Sequence, residues 1–142
     1  MVRTFGRWTV GVAACAFGVL FTAGAILAEP RPAEDFASVH DIMKKGHGGK
    51  KSLLNQIKAG AKDEKWDDIA KPAKELKKFG EELGKNKVEK GETASWTKLS
   101  GEYKTMMLAI ADGVEKKDQK ATNEALGKMN KSCKACHDSH KE

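Results

Sequence analysis

The spacing of apolar residues is the feature that most constrains the fold. From Trp96 to Val114 they recur every three or four positions, at Trp96, Leu99, Tyr103, Met106, Ile110 and Val114, and Thr93 or Ser95 can cap the start of this segment. This spacing lines one face of an α-helix, of the kind that forms a coiled-coil seam. No stretch of the chain after residue 29 shows the alternation typical of a β-strand, so the sequence predicts an all-α fold.

Three further segments have the same helical spacing. One spans about residues 33–58, although Gly46, Gly48 and Gly49 weaken its middle, so we expect a bend or a short interruption there. The next spans about residues 63–83 and contains Pro72, which predicts a kink or a fresh start near Lys71. Residues 84–91 read as a loop. The last segment follows residues 116–118, and its apolar stripe includes Ala121, Ala125, Met129, Cys133 and Cys136.

The last segment carries the pentapeptide Cys133-Lys134-Ala135-Cys136-His137. The pattern C-x-x-C-H is the attachment signature of a c-type haem. On a helix its two cysteines and its histidine are at positions i, i+3 and i+4, and all three project from one face. We therefore predict one covalent haem c, with Cys133 and Cys136 as its thioether positions and His137 as the proximal ligand of the iron.

Two other interpretations of the pentapeptide remain. A redox dithiol normally opens a helix after a β-strand, and no strand pattern precedes this one. A zinc site needs about four ligands, and His140 is the only extra candidate nearby. Both alternatives therefore have less support than haem attachment.

The N-terminus predicts export. Arg3 and Arg7 precede an uncharged stretch, residues 8–28, that ends in small residues suited to cleavage before Glu29. We therefore expect residues 1–28 to be a signal peptide and residues 29–142 to form one periplasmic four-helix-bundle domain. The alternative is an uncleaved membrane anchor, because about 20 apolar residues can span a bilayer.

The charge is mildly basic, with 26 Lys and Arg against 20 Asp and Glu, for a formal net charge of +6. The charges are spread along the predicted helices, which argues against a nucleic-acid-binding surface. The basic excess could still steer an acidic redox protein toward this chain.

Four amphipathic helices with short connections predict an antiparallel four-helix bundle, whose core is a usual place for a cofactor. The small residues Ala121 and Ala125 could leave space for a porphyrin. Close packing of neighbouring helices would explain them equally well.

The occupant of the second axial position of the iron decides what such a haem does. The first segment offers His40, Met43 and His47, at spacings of three and four on one face. From the residues alone, each of them, or an open position, remains possible.

The motif and its setting resemble the class II c-type cytochromes, the cytochrome c-prime family with its six-coordinate, low-spin relatives. The resemblance rests on residues 132–138 near the C-terminus, and more loosely on the apolar pattern of about residues 34–142. In the electron-transferring relatives a methionine on the first helix lies over the haem. By this resemblance His137 and Met43 would be the two axial ligands of the iron. The resemblance also implies a possible homodimer that forms through the early helices.

The chain departs from the family pattern near its C-terminus. His140 and Lys141 stand where an aromatic residue followed by Arg or Lys is usual, and the first segment is richer in glycine. The resemblance implies a non-enzymatic periplasmic cytochrome that carries single electrons between redox proteins. The alternative it implies is a five-coordinate haem protein that binds nitric oxide or carbon monoxide.

Overall fold

Five helices form the part of the chain described by this computed structural model, residues 36–141. They are α1 (Val39–His47), α2 (Leu53–Lys62), α3 (Trp66–Leu83), α4 (Thr93–Glu115) and α5 (Gln119–His140). No strand occurs in this range, so the prediction of an all-α fold is confirmed. The predicted signal peptide, residues 1–28, lies outside the described residues.

None of these five helices combines the length and the apolar character needed to cross a membrane.

The first predicted segment consists of two helices, α1 and α2. Gly48 ends α1, with its N–H donating to the carbonyl of Lys44, and Gly49 has a φ of +75°, in the left-handed region that favours glycine. Ser52 then caps α2 by accepting a hydrogen bond from the N–H of Asn55. The glycines therefore interrupt the helix, and α2 continues to Lys62, beyond the predicted end.

The remaining helices follow the predicted segments closely. Helix α3 begins at Trp66, three residues later than expected, and runs through Pro72 as one element rather than starting afresh there. The predicted loop is confirmed, because α3 ends at Leu83 and α4 begins at Thr93.

Contacts between helix ends show that α3, α4 and α5 run antiparallel to one another. Gly80, near the end of α3, packs on Met107 in the second half of α4, while residues near the start of α3 lie beside the end of α4. At the other interface, Ser95 at the start of α4 bonds to His140 at the end of α5. Helix α2 packs on α3 and α5, and α1 packs on α2 and α3.

The core lies between the facing apolar stripes and contains most of the residues that the spacing predicts. Its fully buried members include Ile42, Ile57, Leu76, Leu83, Met107 and Ile110. The structure corrects two details: Met107, rather than Met106, is the methionine of α4 that is fully buried, and Ala121 is exposed.

Candidate functional site

At one end of the bundle, α1, α4 and α5 enclose an apolar cleft together with Leu83 of α3. Its volume is about 70 Å³. The lining residues are Met43, His47, Leu83, Leu99, Glu102, Tyr103, Met106, Met129, Ser132, Cys133, Cys136 and His137. The cleft therefore contains the three motif residues and two of the three candidates on the first segment.

A wider and more polar opening, which we call the mouth, adjoins this cleft. It shares Met43, Leu83, Cys136 and His137 with the cleft. Its other lining residues are Ser38, Val39, His40, Asn86, Lys87, Glu89, Trp96, His140 and Lys141. The apolar cleft and the partly charged mouth are therefore neighbours that share part of their lining.

The motif residues lie on consecutive turns of α5, which continues unbroken to His140. Cys133 and Cys136 are half-buried free thiols, and His137 is exposed while still lining the cleft. Burial raises the pKa of the Cys136 thiol, and the neighbouring Cys133 raises it further. The helix therefore presents two thiols and one imidazole to the same apolar space.

The chemical character of the lining residues fits a porphyrin. A haem is flat and mostly apolar, and its two carboxylates prefer a polar environment. Apolar side chains such as Leu99 and Met106 cover the interior of the cleft, whereas Lys87 and Lys141 lie at the mouth. Cys133 and Cys136 would hold the haem covalently, and His137 would be the protein ligand from α5.

Met43 lies on α1. Its side chain is half-buried, packs against the core, and lines both the cleft and the mouth. Met43 and His137 thus approach one space from two different helices. His40 is exposed and lines only the mouth.

His47 is held by Tyr103. Its Nε2 atom lies 2.8 Å from the Tyr103 hydroxyl, and its Nδ1 atom is buried without a hydrogen-bond partner among the described residues. Burial lowers the pKa of His47, and the nearby His137 lowers it further. Burial also raises the pKa of Tyr103, with a smaller contribution from Cys133. Both side chains are therefore neutral near pH 7.

Met106, Met129 and Tyr103 also line the cleft, a role that no sequence pattern indicated. Met129 lies two turns before His137 on the same helix, whereas Met106 offers a second sulfur from α4. Their helical spacing marked these residues only as core positions. Of the two explanations for the small residues Ala121 and Ala125, space for a porphyrin is not supported, because neither residue lines the cleft.

His140 ties the loop of residues 84–92 to the end of α5. Its Nδ1 lies 2.7 Å from the carbonyl oxygen of Lys90, and its Nε2 lies 3.1 Å from the hydroxyl of Ser95. A carbonyl can only accept, so Nδ1 donates to Lys90 and, in the neutral ring, Nε2 accepts from Ser95. The Lys90 ammonium in turn donates to the carbonyl of Lys141. These bonds hold one wall of the mouth.

The comparisons with known proteins agree with this geometry. Residues 91–141 match the family model described as Cytochrome C'. The match covers α4 and α5, and so includes the C-x-x-C-H motif. Neither the curated proteins nor the solved structures gave a match. This match of the last two helices is consistent with a class II c-type cytochrome.

Proposed function

We propose that this chain is a periplasmic cytochrome with one covalent haem c, and that it carries single electrons between redox proteins. Cys133 and Cys136 hold the haem in this proposal, and His137 and Met43 are the two protein ligands of its iron. The bound haem supplies a one-electron couple. The observation that supports the proposal most strongly is that Met43 of α1 and His137 of α5 line one apolar cleft.

The surroundings of the first-segment histidines favour Met43 as the second ligand. The Nε2 of His47 is already hydrogen-bonded to Tyr103, and its Nδ1 is buried. His40 lines only the outer mouth. Methionine opposite histidine raises the reduction potential of a haem relative to other ligand sets, which suits an electron carrier.

The residues of the cleft also support a carrier rather than an enzyme. The apolar lining excludes water from the haem, while the exposed His137 and the mouth bring the cofactor close to the surface. Lys87 and Lys141 at the mouth give this surface a positive side that favours an acidic redox partner.

The alternative function is the binding of nitric oxide or carbon monoxide, and one observation favours it. The Met43 side chain is only half-buried and borders the open mouth, so a small gas could enter the site beside it. The two functions differ in how firmly Met43 occupies the second axial position.

Carbon monoxide separates the two functions. We expect the spectrum of the reduced protein to change little on addition of the gas, because Met43 fills the second axial position. Met43→Ala should open that position and bind carbon monoxide readily. A native protein with a high-spin spectrum that responds fully to carbon monoxide would contradict the carrier proposal. If Met43→Ala left the spectrum unchanged, Met43 would not be the ligand.

Mass spectrometry of the mature protein tests both export and covalent haem attachment. Under denaturing conditions the protein from a host that attaches c-type haem should have the mass of residues 29–142 plus one haem. A full-length mass would favour an uncleaved anchor. A polypeptide free of haem would contradict covalent attachment through Cys133 and Cys136.

A further inference from the structure

Helix α1 is the shortest helix of the described bundle, with nine residues. It packs on α2 and α3, whereas the cleft that its Met43 lines is formed mainly by α4 and α5. The position of Met43 relative to the cleft therefore depends on what holds α1 at its two ends.

Hydrogen bonds connect the chain just before α1 to the end of α3 and to the loop that follows it. The N–H of Ala37 donates to a carboxylate oxygen of Glu82 at 3.1 Å, and the side-chain amide of Asn86 donates to the carbonyl of Ala37 at 3.1 Å. Glu82 is buried, so the bond is shielded from water. Both bonds lie before Met43 in the chain.

The second end of α1 is tied to α4. His47 is the last residue of α1, and its Nε2 lies 2.8 Å from the hydroxyl of Tyr103 in the middle of α4. The two rings also meet edge to face, with centroids 5.6 Å apart. This hydrogen bond joins α1 to α4, and both of its residues line the cleft.

The surroundings of this bond offer few competing hydrogen-bond partners. Tyr103 is 5% exposed, and water does not compete well for its hydroxyl. The Nδ1 atom of His47 has no alternative partner among the described residues, so Nε2 alone orients the ring by hydrogen bonding. Breaking the bond would leave buried polar atoms unsatisfied on both helices.

We infer that the hydrogen bond between His47 and Tyr103 is a positioning device that holds α1 so that the Met43 sulfur faces the haem iron. Met43 lies one turn before His47, on the same side of α1, and both line the cleft. The pair acts through Met43 and does not itself bind the iron. This inference rests on the proposed ligation by Met43.

The test uses Tyr103→Phe, which removes the hydroxyl and keeps the ring. If the bond holds Met43 on the iron, its loss weakens the sulfur as a competitor, and the reduced holoprotein should bind carbon monoxide about five- to tenfold more tightly. His47→Leu, which removes the bond from the other side, should have the same effect. His47→Gln keeps a side-chain amide that can donate to or accept from the Tyr103 hydroxyl, and it should retain part of the native behaviour.

Thr105→Val is the matched control. Thr105 is an exposed residue of the same helix, and its hydroxyl bonds only within α4, to the carbonyl of Gly101. Removing this hydroxyl should leave the affinity for carbon monoxide unchanged. An equal gain in Thr105→Val and Tyr103→Phe would overturn the inference, because the effect would then not come from the link to α1.

A double-mutant cycle separates this inference from the function on which it rests. In a Met43→Ala background, Tyr103→Phe should have no further effect on carbon monoxide binding. If Met43→Ala opens the iron but Tyr103→Phe changes nothing in the native background, the positioning role is wrong and the ligand stands. An equal effect in both backgrounds also overturns it. If Met43→Ala changes nothing, the ligand assignment itself fails.

Discussion

At the scale of single residues, Gly113 shows how closely α4 and α5 approach. A Cβ on Gly113 would lie 2.6 Å from the Thr122 hydroxyl oxygen and 3.0 Å from the Thr122 backbone nitrogen. Gly101, in the same helix, has no atom within 4 Å of the equivalent position. We therefore expect Gly113→Ala to lower the free energy of unfolding by about 2 kcal/mol, since a close contact must be relieved.

Gly101→Ala is the matched variant and should change stability in the opposite direction. An exposed glycine inside a helix costs about 0.5–1 kcal/mol relative to alanine, so this replacement should raise the free energy of unfolding by that amount. Chemical denaturation of both holoproteins measures the pair. Equal shifts of the same sign would contradict the close approach of α4 to α5 at Gly113.

The same scale shows which parts of the site a sequence can reveal. The chemistry of haem attachment demands a fixed local spacing, so Cys133, Cys136 and His137 are visible as a motif. The partner of His47 is not, because Tyr103 lies 56 residues away and the bond depends on how α1 and α4 pack. Spacing also does not distinguish Met106 from Met107, since three- and four-residue steps allow either to face inward.

At the scale of helices, periodicity predicted the elements well and their ends less well. Glycines correctly indicated a weakness in the first segment, but the choice between a bend and an interruption depended on the caps. Gly48 ends α1 and Ser52 begins α2, and these local bonds separate the two helices. At Pro72 the alternative of a fresh start is wrong, because α3 continues through it as one element.

The loop of residues 84–92 is hydrogen-bonded to residues at the end of α5. His140 bonds to the carbonyl of Lys90 and to the hydroxyl of Ser95, although family resemblance led us to expect an aromatic residue at its position. Its ring also packs edge to face on Trp96, with centroids 5.4 Å apart. The histidine thus retains an aromatic contact and adds two polar ones, which no sequence pattern shows.

At the scale of the whole molecule, short connections and amphipathic faces were enough to predict a helical bundle. The place of the cleft was not predictable in the same way. From the sequence, the small residues in α5 could make room for a haem or allow close helix packing; in the structure Ala121 is exposed and Ala125 is part of the core. The cleft lies instead at the end of the bundle that carries the motif, where side chains of α1, α4 and α5 line it together with Leu83 of α3.

The central claim is that Met43 and His137 share one haem iron. Met106 makes a stringent comparison, because it is a second half-buried methionine that lines the same cleft from α4. Replacing either methionine by leucine keeps a similar apolar volume and removes one sulfur.

The most direct measurement is the proton NMR spectrum of the reduced holoprotein. The methyl group of an iron-bound methionine lies beside the porphyrin ring, whose ring current shifts its resonance far upfield of ordinary methyl signals. We predict one such resonance in the native protein, its persistence in Met106→Leu and its loss in Met43→Leu. Its absence from the native protein, or its loss in Met106→Leu alone, would contradict the account.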